Sequence, residues 1–260
     1  LASRRFDVPN RVDTKFNLGS MNKMFTATAI LQLAQAGRLD VHGRLIEYLP
    51  DFPNRDVAER VTLHHLLTHT SGMGSFWEAM DGMNWTTLRE PADHLPLFAH
   101  EPLAFEPGDH MSYSNSGFLV LGLVIEAVTG QSYYDYVREH IFQPAGMTDT
   151  DSWAMDEVVP NLAIGYTRAG EDGHGLDGPL RNNLFSHRLR GGPAGGGFST
   201  VDDLARFGQA LAEGTLLDAE HTELLLTGQV DTGWGPGMRY AYGFMDQVLD
   251  GHRFLGHNGG

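Results

Sequence analysis

The spacing of apolar and polar positions divides the chain into recognisable pieces. From 21 to 36 it has the length and the good helix formers of a single helix, with Gly37 as the stop. VTLHHLLTHTSG (61–72) predicts a short apolar helix or turn, and FLVLGLVIEAVTG (118–130) predicts a buried helix closed by Gly130. SYYDYVREHIFQP (132–144) predicts another helix, capped by Ser132 and Asp135 and stopped by Pro144. Thr200 and Asp203 are spaced to cap a helix over about 201–213. Near the end, MRYAYGFMDQVL and HRFLGHNGG read as two strands joined at Asp250-Gly251, a dipeptide favoured in two-residue hairpin turns. The second of these strands carries His257.

One position breaks the pattern. Lys23 falls in the first turn of the first helix, where the macrodipole favours anions by roughly 0.3–1 kcal/mol. Its neighbours at helical spacing are Ser20, Thr26, Ala27, Ile30 and Leu31, so no carboxylate is at hand locally. A surface lysine would snorkel to water along its stem. A desolvated one loses proton affinity, and Ser20 lies one turn back on the same face, so hydroxyl and amine can meet.

Composition narrows the partners. The net charge of −15 disfavours nucleic acid and anionic membrane surfaces, and the chain has no cysteine for disulfides, thiolate metal sites or thiol nucleophiles. No stretch reaches the ~18 apolar residues of a membrane-spanning helix, so a soluble protein is expected. LASRRFDVPN lacks a signal peptide's apolar core, yet the chain starts at Leu1 and not at methionine, so an upstream segment is expected and the compartment stays undecided.

Two motifs carry less than they suggest. His65 and His69 are spaced i, i+4, but leucine replaces the glutamate of H-E-x-x-H, so zinc is not expected. Ten glycines between Gly165 and Gly197 mark a loop-rich region, and within it GGPAGGG (191–197) lacks the G-K-[ST] ending of a phosphate loop. It is read as a backbone turn leading into the capped helix.

Ser20-x-x-Lys23, Tyr113-Ser114-Asn115 in a loop before a helix, and His257-Asn258-Gly259 fall in one order along the chain. With LLTHTSGM, EPGDHMSYSNSGF, IFQPAGMTDT and GGGFSTVDDLARF, they make the sequence resemble the serine β-lactamase and DD-peptidase superfamily, on its class C branch with its esterases and D-amino-acid peptidases. The resemblance implies an α+β fold: an antiparallel sheet flanked by helices, residues 1–58 and 190–260, beside a mostly helical lobe, 59–189, with the active site between them. It also implies that both chain ends build the sheet. Strands are therefore expected to be missing at each end, supplied by longer termini or by a second polypeptide. By the same resemblance, export to the periplasm or outside remains open.

Carried over by position, Ser20 is the expected nucleophile, Lys23 its base or proton store and Tyr113 the proton shuttle, with the choice of resting base between Lys23 and Tyr113 left open. Asn115 is expected to orient substrate and hydrogen-bond Lys23, His257 and Gly259 to contact substrate, and the backbone N–H groups of Ser20 and Gly260 to form the oxyanion hole. His69 is expected to fix a turn. His257 stands where penicillin-recognising members carry the lysine of K-T-G, a departure that points away from β-lactams. The expectation is a serine hydrolase working through an acyl-enzyme on small carboxylic esters, without metal or organic cofactor. The alternatives are a D-amino-acid peptidase or β-lactamase using the same residues, and a non-catalytic relative or inactive fragment that only binds ligands.

Overall fold

The computed structural model describes residues 1–76, 87–168, 177–184 and 188–260, so part of the glycine-rich stretch lies outside the described residues. Strand β1 (Phe16–Asn17) leads through a 3₁₀ turn, Gly19–Met21, into helix α1 (Asn22–Gln35). The helix falls within the expected span, and Gly37 follows it at φ +66°. It is buried on all sides: Lys23, Phe25, Ala27, Ala29, Ile30 and Leu31 all have 0% exposure. Such a helix belongs at the centre of a core. Phe25 anchors it, meeting Phe142 and Phe207 edge-on with ring centroids 5.1 and 4.9 Å away.

Short helices α2 (Leu45–Tyr48), α3 (Arg55–Arg60) and α4 (Leu63–Leu67) follow, the last capped by Thr62, whose hydroxyl accepts from His65 N. Helix α5 (Asn115–Thr129) starts three residues before the apolar run that predicted it. The reason is a cap: Ser114 Oγ accepts from Gly117 N at 3.2 Å, which carries the polar Asn115 and Ser116 into the first turn. Gly130 closes the helix at φ +75°. Helix α6 (Tyr133–Val137) is shorter than the expected 132–144 helix and continues as a π-helical turn, Arg138–Phe142.

Small antiparallel sheets complete the architecture. Strands β2 (Tyr166–Thr167) and β3 (Arg181–Asn182) pair with each other, and β4 (Phe198–Ser199) pairs with β1, with Phe16 opposite Ser199. Helix α7 (Val201–Ala212) begins at Thr200, whose Oγ1 accepts from Asp203 N at 3.2 Å. The Asp203 carboxylate turns away from that cap and takes hydrogen bonds from Asp149 N and Thr150 Oγ1, both at 2.7 Å. After α8 (Ala219–Leu226) come β5 (Val230–Asp231), β6 (Met238–Tyr240), β7 (Met245–Leu249) and β8 (His252–Gly256), hydrogen-bonded in that order into a four-stranded sheet.

The run MRYAYGFMDQVL is thus two strands and not one. Gly243, at φ +70°, turns the chain between them against α1, where a Cβ would lie 2.7 Å from Lys23 O. The predicted hairpin forms as read: Leu249 pairs with His252, and Asp250 and Gly251 both take positive φ, 49° and 77°, as a type I′ turn requires. His257 lies just beyond β8, not within it. Among the described residues no helix is long and apolar enough to cross a membrane.

Candidate functional site

Lys23 is held by three acceptors that come from three parts of the chain. Its Nζ donates to Ser20 Oγ at 3.1 Å, to Asn115 Oδ1 at 2.6 Å and to Ala194 O at 2.6 Å. An ammonium spends all three protons on these contacts, whereas a neutral amine has two and turns its lone pair to the Ser20 hydroxyl; none of the partners is a carboxylate. Burial drives the lysine pKa well below its ordinary value, and the positive charge of Arg188 lowers it further. Lowered proton affinity beside a hydroxyl is what a general base for that hydroxyl needs.

Tyr113 is positioned by His69. Ser112 N donates to His69 O at 2.8 Å and Ser114 N to His69 Nδ1 at 3.1 Å, so the histidine grips the backbone on either side of the tyrosine. The rings lie 4.3 Å apart, and His69 adopts φ +59°, an uncommon backbone for a residue with a Cβ. His69 fixes this turn, as expected. Its Nδ1 accepts a hydrogen bond, so in the neutral ring Nε2 carries the proton. His65 Nδ1 likewise accepts from Thr62 N at 3.2 Å. Among the described residues no group of three or more histidine, aspartate or glutamate side chains is placed to hold a metal ion.

Burial raises Tyr113 to about 12, against a smaller opposing pull from its hydrogen bond with Ser20. The lysine ammonium faces the ring, 4.8 Å from its centroid, and not the phenolic oxygen. The phenolate is therefore disfavoured at neutral pH.

His257 Nε2 meets Tyr240 Oη at 3.0 Å, and its Nδ1 faces the carbonyl of Asn258. Tyr240 is fully buried and held protonated, so its hydroxyl donates to Nε2 and His257 Nδ1 carries the ring's proton. Burial brings His257 down to about 4, with the Asn258 bond opposing, so the ring is neutral at pH 7.

The chain end packs against the turn that carries Ser20. Gly19 has φ +50°, and a Cβ on it would lie 2.6 Å from Gly260 N; one on Gly259 would lie 1.9 Å from Leu18 O. Only glycine allows these two backbone segments to touch. The contact brings the Ser20 and Gly260 peptides side by side. Ser20 and Gly260 line two clefts at once. One, of about 90 Å³, is also lined by Asn115, Trp153, Met155 and Arg188. The other, of about 380 Å³, is lined by Tyr113, Trp234, His257, Asn258 and Gly259.

All seven residues singled out in the sequence thus converge, with Ser20 at the junction of the clefts. Ala194, Arg188, Trp153, Trp234 and Tyr240 were not anticipated. The glycine cluster hinted at the first of these: Gly192 and Gly195 close a turn on each other, and Gly122 of α5 sits where a Cβ would strike Pro193 Cγ at 2.2 Å. That packing presses Ala194 O toward Lys23. The other four carry no local signal.

Comparison with known proteins gives the family. A family model described as Beta-lactamase matches residues 1–260. Esterase EstB of Burkholderia gladioli is 31% identical over 284 residues, covering 96% of this chain and 71% of that protein. A penicillin binding protein from Bacillus halodurans superposes with a TM-score of 0.87 at 36% identity, over 100% of this chain and 79% of that one. The D-amino acid amidase of Ochrobactrum anthropi SV3, complexed with D-phenylalanine, gives a TM-score of 0.82 at 26% identity, over 100% and 74%. Three curated relatives named as penicillin-binding proteins are longer, and the chain spans 57% to 62% of their length. The fold is that of the β-lactamases and DD-peptidases, and the chain belongs to the beta-lactamase family.

Proposed function

We propose that the protein is a serine hydrolase that forms an acyl-enzyme on Ser20 and acts on small carboxylic esters, in a cleft between a sheet-bearing lobe, 1–58 and 190–260, and a helical lobe, 59–189. The observation that carries this reading is the fully buried Lys23 amine, 3.1 Å from Ser20 Oγ, with no carboxylate partner among the described residues. A lysine kept for stability alone gains little from such a position.

Lys23 takes the Ser20 proton as Oγ bonds to the carbonyl carbon. The oxygen that becomes negative lies between the N–H groups of Ser20 and Gly260, each such donor being worth about 2.7–4 kcal/mol. As the C–O bond breaks, Tyr113 passes its hydroxyl proton to the departing alkoxide, while Lys23 keeps the proton taken from Ser20. Water then attacks the acyl carbon, its proton following the same groups back, and the acid leaves with Ser20 restored. Asn115 keeps the amine aimed at Ser20. The neutral His257 supplies no cation for the carboxylate of a penicillin.

The test is turnover of a p-nitrophenyl ester beside nitrocefin, with intact mass after a serine-reactive phosphonate. Ser20→Ala should abolish ester turnover and labelling while thermal unfolding stays nearly unchanged, and kcat/KM for the ester should exceed that for nitrocefin. Retention of more than a tenth of the turnover by Ser20→Ala places the nucleophile elsewhere, and a nitrocefin value equal to the ester's reverses the substrate order. A second reading, hydrolysis of D-amino acid amides, is supported by the likeness to the Ochrobactrum amidase.

A further inference from the structure

The two clefts beside Ser20 differ in charge. The larger holds Tyr113 and His257, both neutral at pH 7. The smaller holds Arg188, which among the described residues is the one permanent cation lining either cleft. The group that protonates the leaving atom must face it, so the alcohol departs past Tyr113 and the acyl chain occupies the smaller cleft. This assignment rests on the reading of Ser20 as the nucleophile.

Arg188 is built in, and yet its charge is not met. Its Nη2 donates to Gly195 O at 3.0 Å, its Nη1 lies 3.4 Å from His94 Nε2, and the guanidinium stands over the Phe76 ring at 5.8 Å. His94 is itself fixed, with Nδ1 against Glu90 O at 3.2 Å, and is brought down to about 4 by burial and by the arginine's charge, so it meets Arg188 as a neutral acceptor. A carbonyl and an imidazole use two of the five N–H groups, and no carboxylate pairs with the guanidinium among the described residues. A planar fork with free donors, facing a cleft, is suited to a carboxylate bound through two parallel hydrogen bonds.

We propose that Arg188 binds an anionic group on the acyl side of the substrate, so that the preferred esters carry a carboxylate at the far end of a short acyl chain, as the monoesters of small dicarboxylic acids do. The cleft's volume of about 90 Å³ sets the scale, enough for a few methylene groups between the scissile carbonyl and the anion. It also gives the chain a way to recognise an anion from the side opposite His257.

The experiment compares monophenyl glutarate with phenyl valerate, whose acyl chains have equal carbon counts, on the purified protein. The ratio of their kcat/KM values is read in wild type, Arg188→Met and Arg188→Lys, after subtraction of the uncatalysed rate. The expected ratio favours glutarate at least tenfold in wild type, falls at least tenfold in Arg188→Met and is partly kept in Arg188→Lys, which retains charge without the fork. Turnover of phenyl valerate with no gain for glutarate overturns the proposal and leaves the hydrolase reading standing. Turnover of neither ester overturns both. A wild-type preference that survives intact in Arg188→Met also overturns the assignment to this residue. If Arg188→Met fails to fold by circular dichroism, Arg188→Lys and Arg188→Gln take its place, with the same ratio deciding.

Discussion

Replacing Lys23 by methionine separates chemistry from stability. The change keeps most of the stem's volume and deletes an amine that makes three hydrogen bonds, to Ser20, Asn115 and Ala194. Two acceptors, Asn115 Oδ1 and Ala194 O, lose a donor, and a buried acceptor left dry costs about 1–3 kcal/mol. Both residues line the smaller cleft, so water can reach them and the cost falls to the low end of that range, about 2 kcal/mol for the pair. Against it stands relief of the desolvation that holds the lysine pKa down. The two effects oppose, and the net change is expected within about 2 kcal/mol, a shift of a few degrees in a chain of this size. Acylation should fall by ~10²–10⁴, the usual result of losing a positioned acid or base. The assay is the single-turnover release of p-nitrophenolate by stopped flow, paired with the thermal midpoint. A rate within threefold of wild type removes Lys23 from the mechanism, and a loss of stability far larger than the estimate means that the amine serves the fold.

Two further outcomes follow from the geometry. Gly259→Ala places a methyl where Leu18 O would be 1.9 Å away, so the segment bearing Gly260 must move off Gly19; kcat/KM should drop by about 10²–10³ with the circular dichroism spectrum unchanged, and activity within threefold of wild type refutes the oxyanion assignment to Gly260. His94 and His257 are each held at about 4 against an ordinary 6.5, so the unfolded chain binds more protons between those values and stability is fully present above pH 6.5 and lost as pH falls toward 4. At about 1.4 kcal/mol per pK unit this is on the order of 3 kcal/mol for each histidine, and urea midpoints that stay flat from pH 7 to 4.5 contradict it.

Local pattern carried some of this structure and tertiary contact the rest. The span of α1, the Ser20–Lys23 contact and the Asp250-Gly251 turn depend on residues within one turn or one dipeptide of each other, and each forms where the sequence places it. The start of α5 was missed because a single serine cap outweighs the polarity of the residues after it. The break between β6 and β7 was missed because alternation continues through Gly243, which turns only because α1 packs beneath it. At the site, Ser20, Tyr113 and Asn115 were legible as motif members. Ala194 acts through a backbone carbonyl and Arg188 through a vacancy in its pairing, and neither property has a one-dimensional signature.

The three-way grip on Lys23 has a consequence for how the chain acquires reactivity. Asn115 lies 92 residues away along the sequence and Ala194 lies 171 away, so two long loops must close before the amine finds its acceptors. Helix α1 can form early, since its backbone hydrogen bonds are local, but an early α1 carries a solvated ammonium and an ordinary serine. On the proposed reading, the hydroxyl becomes nucleophilic only when distant segments dock and squeeze out water. During refolding, recovery of covalent labelling should therefore trail recovery of helical signal, and a partly folded chain passes through its most exposed stage without an armed serine.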